Sequence, residues 1–324
     1  HQPTLTCLLI LGACLLLTGC ERQSVVSAEP PQSASPIRTR LLTDKQYVNT
    51  ITQVFGADIS ESVLPPIPPM ERTDGLLASG AAFVGVTSDQ ISQIQLAAAT
   101  VAQKVVDEEH RDFLIPCSPE SAIAADPVCA GLFLAETGRL LLRGSMDETR
   151  LAQLVDVASY AAEQTEDFYD GLALALEAIL ISPEFVFIVD SVEPDPQRPA
   201  QQRLDSYSLA SRLSFFLWNA APDDALLQAA ENGELHTPQG LARAVDRLLA
   251  STRLEEGMRT FFDDMLAFDE FNSLAKDPLV YPMVTGTTLE HAREQTLRTI
   301  IDHLLVDEAD YRDLFTTRKT FMSM

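Results

Sequence analysis

The 324-residue chain carries 47 acidic against 23 basic side chains, a formal charge of −24. Nucleic acid, anionic lipid surfaces and acidic polysaccharides would all be repelled by that balance, which excludes them as main ligands. With 46% hydrophobic residues the chain can bury one large core or two of ordinary size, so disorder of the whole is excluded too.

In chain order, Leu5 to Leu17 is an apolar run too short to cross ~30 Å of hydrocarbon but suited to the core of a secretion signal. Leu17-Thr18-Gly19-Cys20 follows and resembles the bacterial lipobox, in which a cysteine behind a small residue is diacylated and becomes the new N-terminus. Residues 1–19 are therefore expected to be a lipoprotein signal peptide and Cys20 the lipidation site. Glu21 resembles the residue that sends such proteins to the periplasmic face of the outer membrane. The sequence opens at His1 with no Lys or Arg before the run, so a few initial residues are expected to precede it. Residues 20–40, with Pro30, Pro31 and Pro36, read as a flexible tether. Cys7 and Cys14 leave with the signal. In an exported body Cys117 and Cys129 are then expected to form a disulfide, the alternatives being two free thiols or a metal site. No Cys-x-x-Cys is present, and neither metal nor cofactor is expected.

The body reads as all-α, two consecutive helical bundles behind the signal and tether. Thr43 with Gln46 forms a capping box, and Tyr47, Ile51, Val54 and Phe55 recur at helical spacing until Gly56. Leu64 to Met70 is too rich in proline for helix or central strand and is expected as an extended loop. A helix from Ser88 carries Ile91, Ile94, Leu96, Ala98, Val101, Val105 and Val106. Helices over 128–142, from a Ser145 and Glu148 capping box to Gln164, and from Asp167 to Ser182 complete an N-terminal domain, 41–190. Phe185 to Val189 is strand-like, and with no visible partner it is read as buried extended chain.

Residues 191–202, rich in Pro, Asp and Gln, are read as an inter-domain linker. The C-terminal domain, 203–324, is organised around Leu204 to Pro222. As a helix this places Leu209, Ala210, Leu213, Phe216 and Leu217 on one face and Tyr207, Phe215 and Trp218 on another, capped by Asp205 or Ser206. Helices follow over 223–231, from Thr237 and Pro238 to Ala250, through Leu254 to Leu266, and from Thr288 to Val306. The domain is expected to continue past Met324.

Arg40-Leu-Leu-Thr-Asp-Lys-Gln-Tyr-Val-Asn-Thr, Gly171-Leu-Ala-Leu-Ala-Leu-Glu-Ala-Ile-Leu-Ile-Ser-Pro-Glu-Phe-Val-Phe and Leu209-Ala-Ser-Arg-Leu-Ser-Phe-Phe-Leu-Trp occur in that order. Together they resemble secreted bacterial proteins built from the domain-of-unknown-function families numbered 1587, 1595 and 1592. The resemblance implies a periplasmic setting beside a redox or polymer-degrading system, with a separate c-type cytochrome or another periplasmic protein as partner. It supplies no catalytic residues. The chain has no Cys-x-x-Cys-His and so no covalent haem site of its own.

The familiar zinc-protease, serine-hydrolase, phosphate-loop and dinucleotide motifs are absent from the sequence. The best constellation is on the last helix, where Glu294 borders the Leu297, Ile300, Ile301, Leu304 and Leu305 stripe beside His291 and Arg298. A half-buried Glu294 needs a cation, and Arg212, alone among apolar residues, needs an anion, so Glu294 is expected to pair with Arg212 or Arg298. Asp263 and Asp264 read as a solvated pair, Asp107 to His110 as an exposed helix end, and Phe215 and Trp218 as core. The leading reading is a membrane-anchored periplasmic interaction or assembly module. The alternative is a polymer-active oxidative or hydrolytic enzyme with a pocket near Arg212, His291 and Glu294.

Overall fold

The computed structural model describes residues 39–61, 70–83, 85–274, 276–277, 279–284 and 286–322. Residues 1–19, expected as a signal peptide, Cys20, nearly all of the expected 20–40 tether and Leu64–Pro69 of the expected proline loop lie outside the described residues. The architecture is all-α, trimmed by two small antiparallel ribbons.

Strand β1, Arg40–Leu41, leads into α1, Asp44–Phe55, which begins at the expected capping box: Thr43 Oγ1 accepts from the Gln46 N–H and Gln46 Oε1 from the Thr43 N–H. Helix α2, Ser88–Val106, starts on a second box built by Thr87 and Gln90. It buries Ile94, Ala97, Ala98, Val101, Ala102, Val105 and Val106, whereas Ile91 and Leu96, expected on that stripe, face solvent. The alanines take their places, which lets α2 approach its neighbour closely.

Helices α3, Pro127–Leu141, α4, Glu148–Thr165, and α5, Phe168–Leu180, complete the first bundle. Asp147, not Ser145, caps α4 by accepting from the Arg150 N–H, because an Asp directly before the first turn reaches the amide that the serine cannot. Helix α5 is the central one, packed on α2, α3 and α4. Its Leu172, Leu176 and Ile179 are fully buried, each worth about 1.5–3 kcal/mol against exposure. The first core cluster also takes in Tyr47, Ile51, Phe133, Leu134 and Phe185.

Phe185–Val189 departs from expectation. A helical turn, Pro183–Val186, runs into β2, Phe187–Ile188, which pairs with β1 (Arg40 opposite Ile188, Leu41 opposite Phe187). The partner strand lies some 150 residues upstream and is too short to leave a periodic signature. The linker expected over 191–202 is likewise a ribbon: β3, Val192–Pro194, pairs with β4, Gln202–Leu204. Proline and acidic residues are tolerated there because both strands are edges.

Helix α6, Ser206–Leu217, begins at Asp205, which accepts from the Ser208 N–H. It packs on α7, Asp224–Glu231, α8, Pro238–Leu249, and α9, Leu254–Met265. Its two-sided character is real, with different members. Ala210 and Trp218, flanked by Tyr207, Leu209, Leu213 and Leu217, join the second cluster, while Phe215 enters the first. Phe216 is 75% exposed, and the polar Ser208, Ser211 and Ser214 are buried instead. Ser208 Oγ accepts from the Ser191 N–H and Ser214 Oγ bonds the carbonyls of Ala220 and Ala221, so these hydroxyls are satisfied inside. Helix α1 stitches to the turn after α6: Asn49 donates to Asn219 O, Gln53 to Ala221 O, and Thr50 Oγ1 accepts from the Ala221 N–H.

The last long helix, α10, spans Gly286–Ile301 and widens into a π-helical turn, Asp302–Val306, closed by the Asp307 N–H on Asp302 O. Its Leu297 and Ile300 meet Phe262 of α9 and Phe268 in a third, smaller cluster.

Candidate functional site

Arg212 projects from the middle of α6 toward the end of β2. There Asp190, its side chain only 2% exposed, receives Arg212 Nε at 3.1 Å and a terminal nitrogen at 2.6 Å. The fork-to-carboxylate geometry fills both oxygens. Arg40 on β1 completes the group: burial lowers its pKa, the Asp190 charge works against that, and Arg212 adds to it. With both oxygens held by Arg212 and the Arg40 charge nearby, the carboxylate fastens β1, β2 and α6 together. The sequence did carry a signal for Asp190, a charge set directly after the apolar Phe185–Val189 run.

Glu294 is half exposed, in keeping with its place at the edge of the apolar stripe. Burial disfavours its charged form, yet hydrogen bonds from Arg298 at 2.8 Å and Arg259 at 3.0 Å outweigh that and hold its pKa below the usual carboxylate range. The expected pairing with Arg298 is present, and Arg259 of α9 takes the place proposed for Arg212. His291 is exposed one turn away. Among the described residues no hydrogen bond or ion pair joins Arg212, His291 and Glu294 to one another.

Asp263 and Asp264 are not a solvated pair. Asp263 holds Arg293 through both oxygens, at 2.5 and 2.8 Å, with Lys45 of α1 at 3.4 Å. Asp264 accepts from Arg72 at 2.9 Å and from the N–H groups of Leu77 and Ala78, capping the helical turn Leu77–Gly80. Arg72 also pairs with Asp269. Adjacent carboxylates on one helix thus reach different partners, which spacing on α9 alone could not reveal.

His110 and His236 are tied into the fold. His110 is buried, its Nδ1 2.6 Å from Asp107 Oδ1, which also accepts from the N–H groups of Glu109 and His110. The expected exposed helix end is therefore a closed turn. His236 Nε2 lies 3.0 Å from Leu204 O, and since a carbonyl only accepts, Nε2 carries the proton and leaves Nδ1 to face Ser206 Oγ at 3.4 Å. Glu193 is 3.6 Å away and is engaged by Arg203. This joint between hairpin and α6 was not legible, because its members are 43 positions apart in sequence at the extreme. Trp218 is core, its indole N–H donating to Leu248 O at 2.9 Å with Arg247 and Arg253 at its ring.

Residues 204–324 match the family model described as PSD4, protein of unknown function (DUF1592). Residues 129–190 match PSD5, protein of unknown function (DUF1595). No curated protein and no solved structure matches it. Asp190 is the last residue of the DUF1595 region and Arg212 lies in the DUF1592 region, so the buried pair spans the two. The β3–β4 hairpin falls between them and meets DUF1592 at Leu204.

Proposed function

We propose that the protein is an exported lipoprotein, held at the periplasmic face of the outer membrane through an acylated Cys20. Its helical body acts as an interaction or assembly module beside a redox or polymer-degrading system. The partner is a separate c-type cytochrome or another periplasmic protein, as the family resemblance implies.

The observation that carries this reading is the Cys117–Cys129 disulfide. Structural disulfides belong to oxidising compartments, and this bond argues for export independently of the lipobox around Cys20. The enzyme reading asked Arg212, His291 and Glu294 to face one another. Arg212 and Glu294 are instead saturated by separate partners, whereas an interaction module needs no such convergence.

The test is made in a Gram-negative host. Cys20→Ala should move the full chain from the membrane to the soluble periplasmic fraction and remove the acyl mass. A variant that stays in the membrane would refute the anchor. Photo-crosslinking residues placed one at a time over the exposed faces should trap a discrete partner in the periplasm, and the absence of any adduct would refute the module.

A further inference from the structure

One end of the first bundle gathers charge and apolar surface in a way the core does not require. The turn 107–114, the disulfide-closed loop, the start of α3 and the α4–α5 junction meet there. Cys117 is bonded to Cys129, the Phe168 N–H donates to Ala122 O at 2.9 Å, and the Arg111 guanidinium lies 4.4 Å from the Tyr169 ring centre. Residues 107–126 and 163–170 hold ten carboxylates against the single base Arg111. Asp107, Asp126 and Asp167 are spent on closing turns and capping helices. Glu109, Asp112, Glu120, Glu163, Glu166 and Asp170 are exposed.

Between these acids stand Phe113, Ile123 and Val128, exposed by 68%, 73% and 75%. Large apolar side chains left in water on a loop pinned by a disulfide and a backbone hydrogen bond mark a contact surface better than a packing defect. We propose that this end docks a basic protein segment in which an apolar side chain is flanked by lysines or arginines. The inference rests on the interaction-module reading and names its surface. Charge decides the occupant: a second copy would set carboxylates against carboxylates, and an anionic bilayer would be repelled, while a cationic rim around an apolar centre complements both features.

The experiment uses the full mature chain and two fluorescent peptides of equal charge, one with lysines around a central Leu-Trp pair and one with lysines alone, at low and moderate salt. The Leu-Trp peptide should bind more tightly, and its affinity should fall with salt. Phe113→Ser with Ile123→Ser, and separately Glu109→Gln, Asp112→Asn and Glu120→Gln together, should each weaken it about tenfold. Glu61→Gln, Asp89→Asn and Asp246→Asn, neutralising exposed acids elsewhere, should change it less than about twofold. All substituted positions are at the surface, and thermal melts verify that each variant is folded.

Equal losses in the control set would overturn the proposal, as would indifference to the serine substitutions. So would binding of zwitterionic vesicles, or self-association, that depends on Phe113 and Ile123. Periplasmic crosslinks that map only to another face would sink this surface and leave the module reading standing, whereas no crosslinks at all would sink both.

Discussion

Gly171→Ala sets two opposing effects against each other at a close helix contact in the first bundle. Gly171 lies in the first turn of α5, and replacing glycine by alanine within a helix ordinarily gains about 0.8–1 kcal/mol. Here the added Cβ would sit 2.3 Å from Ala158 O and 2.8 Å from both Ala162 N and Ala162 Cβ. Two of those three atoms are α4 backbone, so no side-chain rotation relieves the clash. Ordinary contact begins at 3.4 Å, and α4 would have to retreat by about 1 Å along the interface that carries Ala158, Ala161 and Ala162. Overpacking of this kind costs about 1–3 kcal/mol, at the upper end when backbone must move, so the net expectation is a loss of about 2 kcal/mol. Gly131→Ala in α3 is the internal control, because its Cβ would meet only Val155 Cγ2 at 3.8 Å and should stabilise by up to about 1 kcal/mol. Urea denaturation of both variants with the disulfide intact reads the difference. Midpoints that both rise would refute the reasoning, since helix propensity would then outweigh the contact geometry, and midpoints that both fall would show that Gly131 is no control.

Reducing the Cys117–Cys129 bond, or replacing both cysteines by serine, frees a loop of sequence separation 12 and should cost about 3 kcal/mol by loop-closure entropy, read as a lower urea midpoint. Asp190→Ala strands Arg212 without its carboxylate and should cost about 3 kcal/mol, with part recovered in the double variant carrying Arg212→Met. A double variant no more stable than Asp190→Ala would show that the charge is not what matters. Acid should weaken the fold. Backbone N–H groups of Cys129 and Glu120 hold the Asp126 pKa down, and at Asp107 burial raises the pKa but the His110 contacts outweigh it. The unfolded chain therefore binds these protons more readily. Their contribution is fully present above the ordinary Asp value of ~3.9 and is lost as pH falls through the lower folded values. Denaturation midpoints at pH 7 and pH 3 check this, and Asp126→Asn should flatten the difference.

What the sequence shows well is what repeats locally. The Thr43–Gln46 box, the Asp167 and Asp205 caps, the α5 stripe and the Cys117–Cys129 bond are set by residues within a few turns or by elimination, and all are present. The misses share a cause. Strand β2 needs β1, the hairpin needs edge strands that tolerate Pro194, and Phe216 is exposed because the core takes Ser214 with its hydroxyl satisfied by a turn six residues on. Periodicity assigns a face to a helix, but only the neighbours decide which half of that face is covered.

The charged residues carry the same lesson into the candidate site. Asp263 and Asp264 look alike in sequence, yet one joins α9 to α10 and α1 while the other caps a turn and holds Arg72. Arg212, set among apolar residues, requires an anion, and Asp190 rather than Glu294 meets the requirement. Burial of a charge fixes that a partner exists and leaves its address to the topology. In this acidic chain most basic side chains that the structure describes are taken up in such pairs. The carboxylates left over at the disulfide end, beside Phe113, Ile123 and Val128, are consequently surplus to folding, and a surplus of one sign around exposed apolar groups is what a partner of the opposite sign can use.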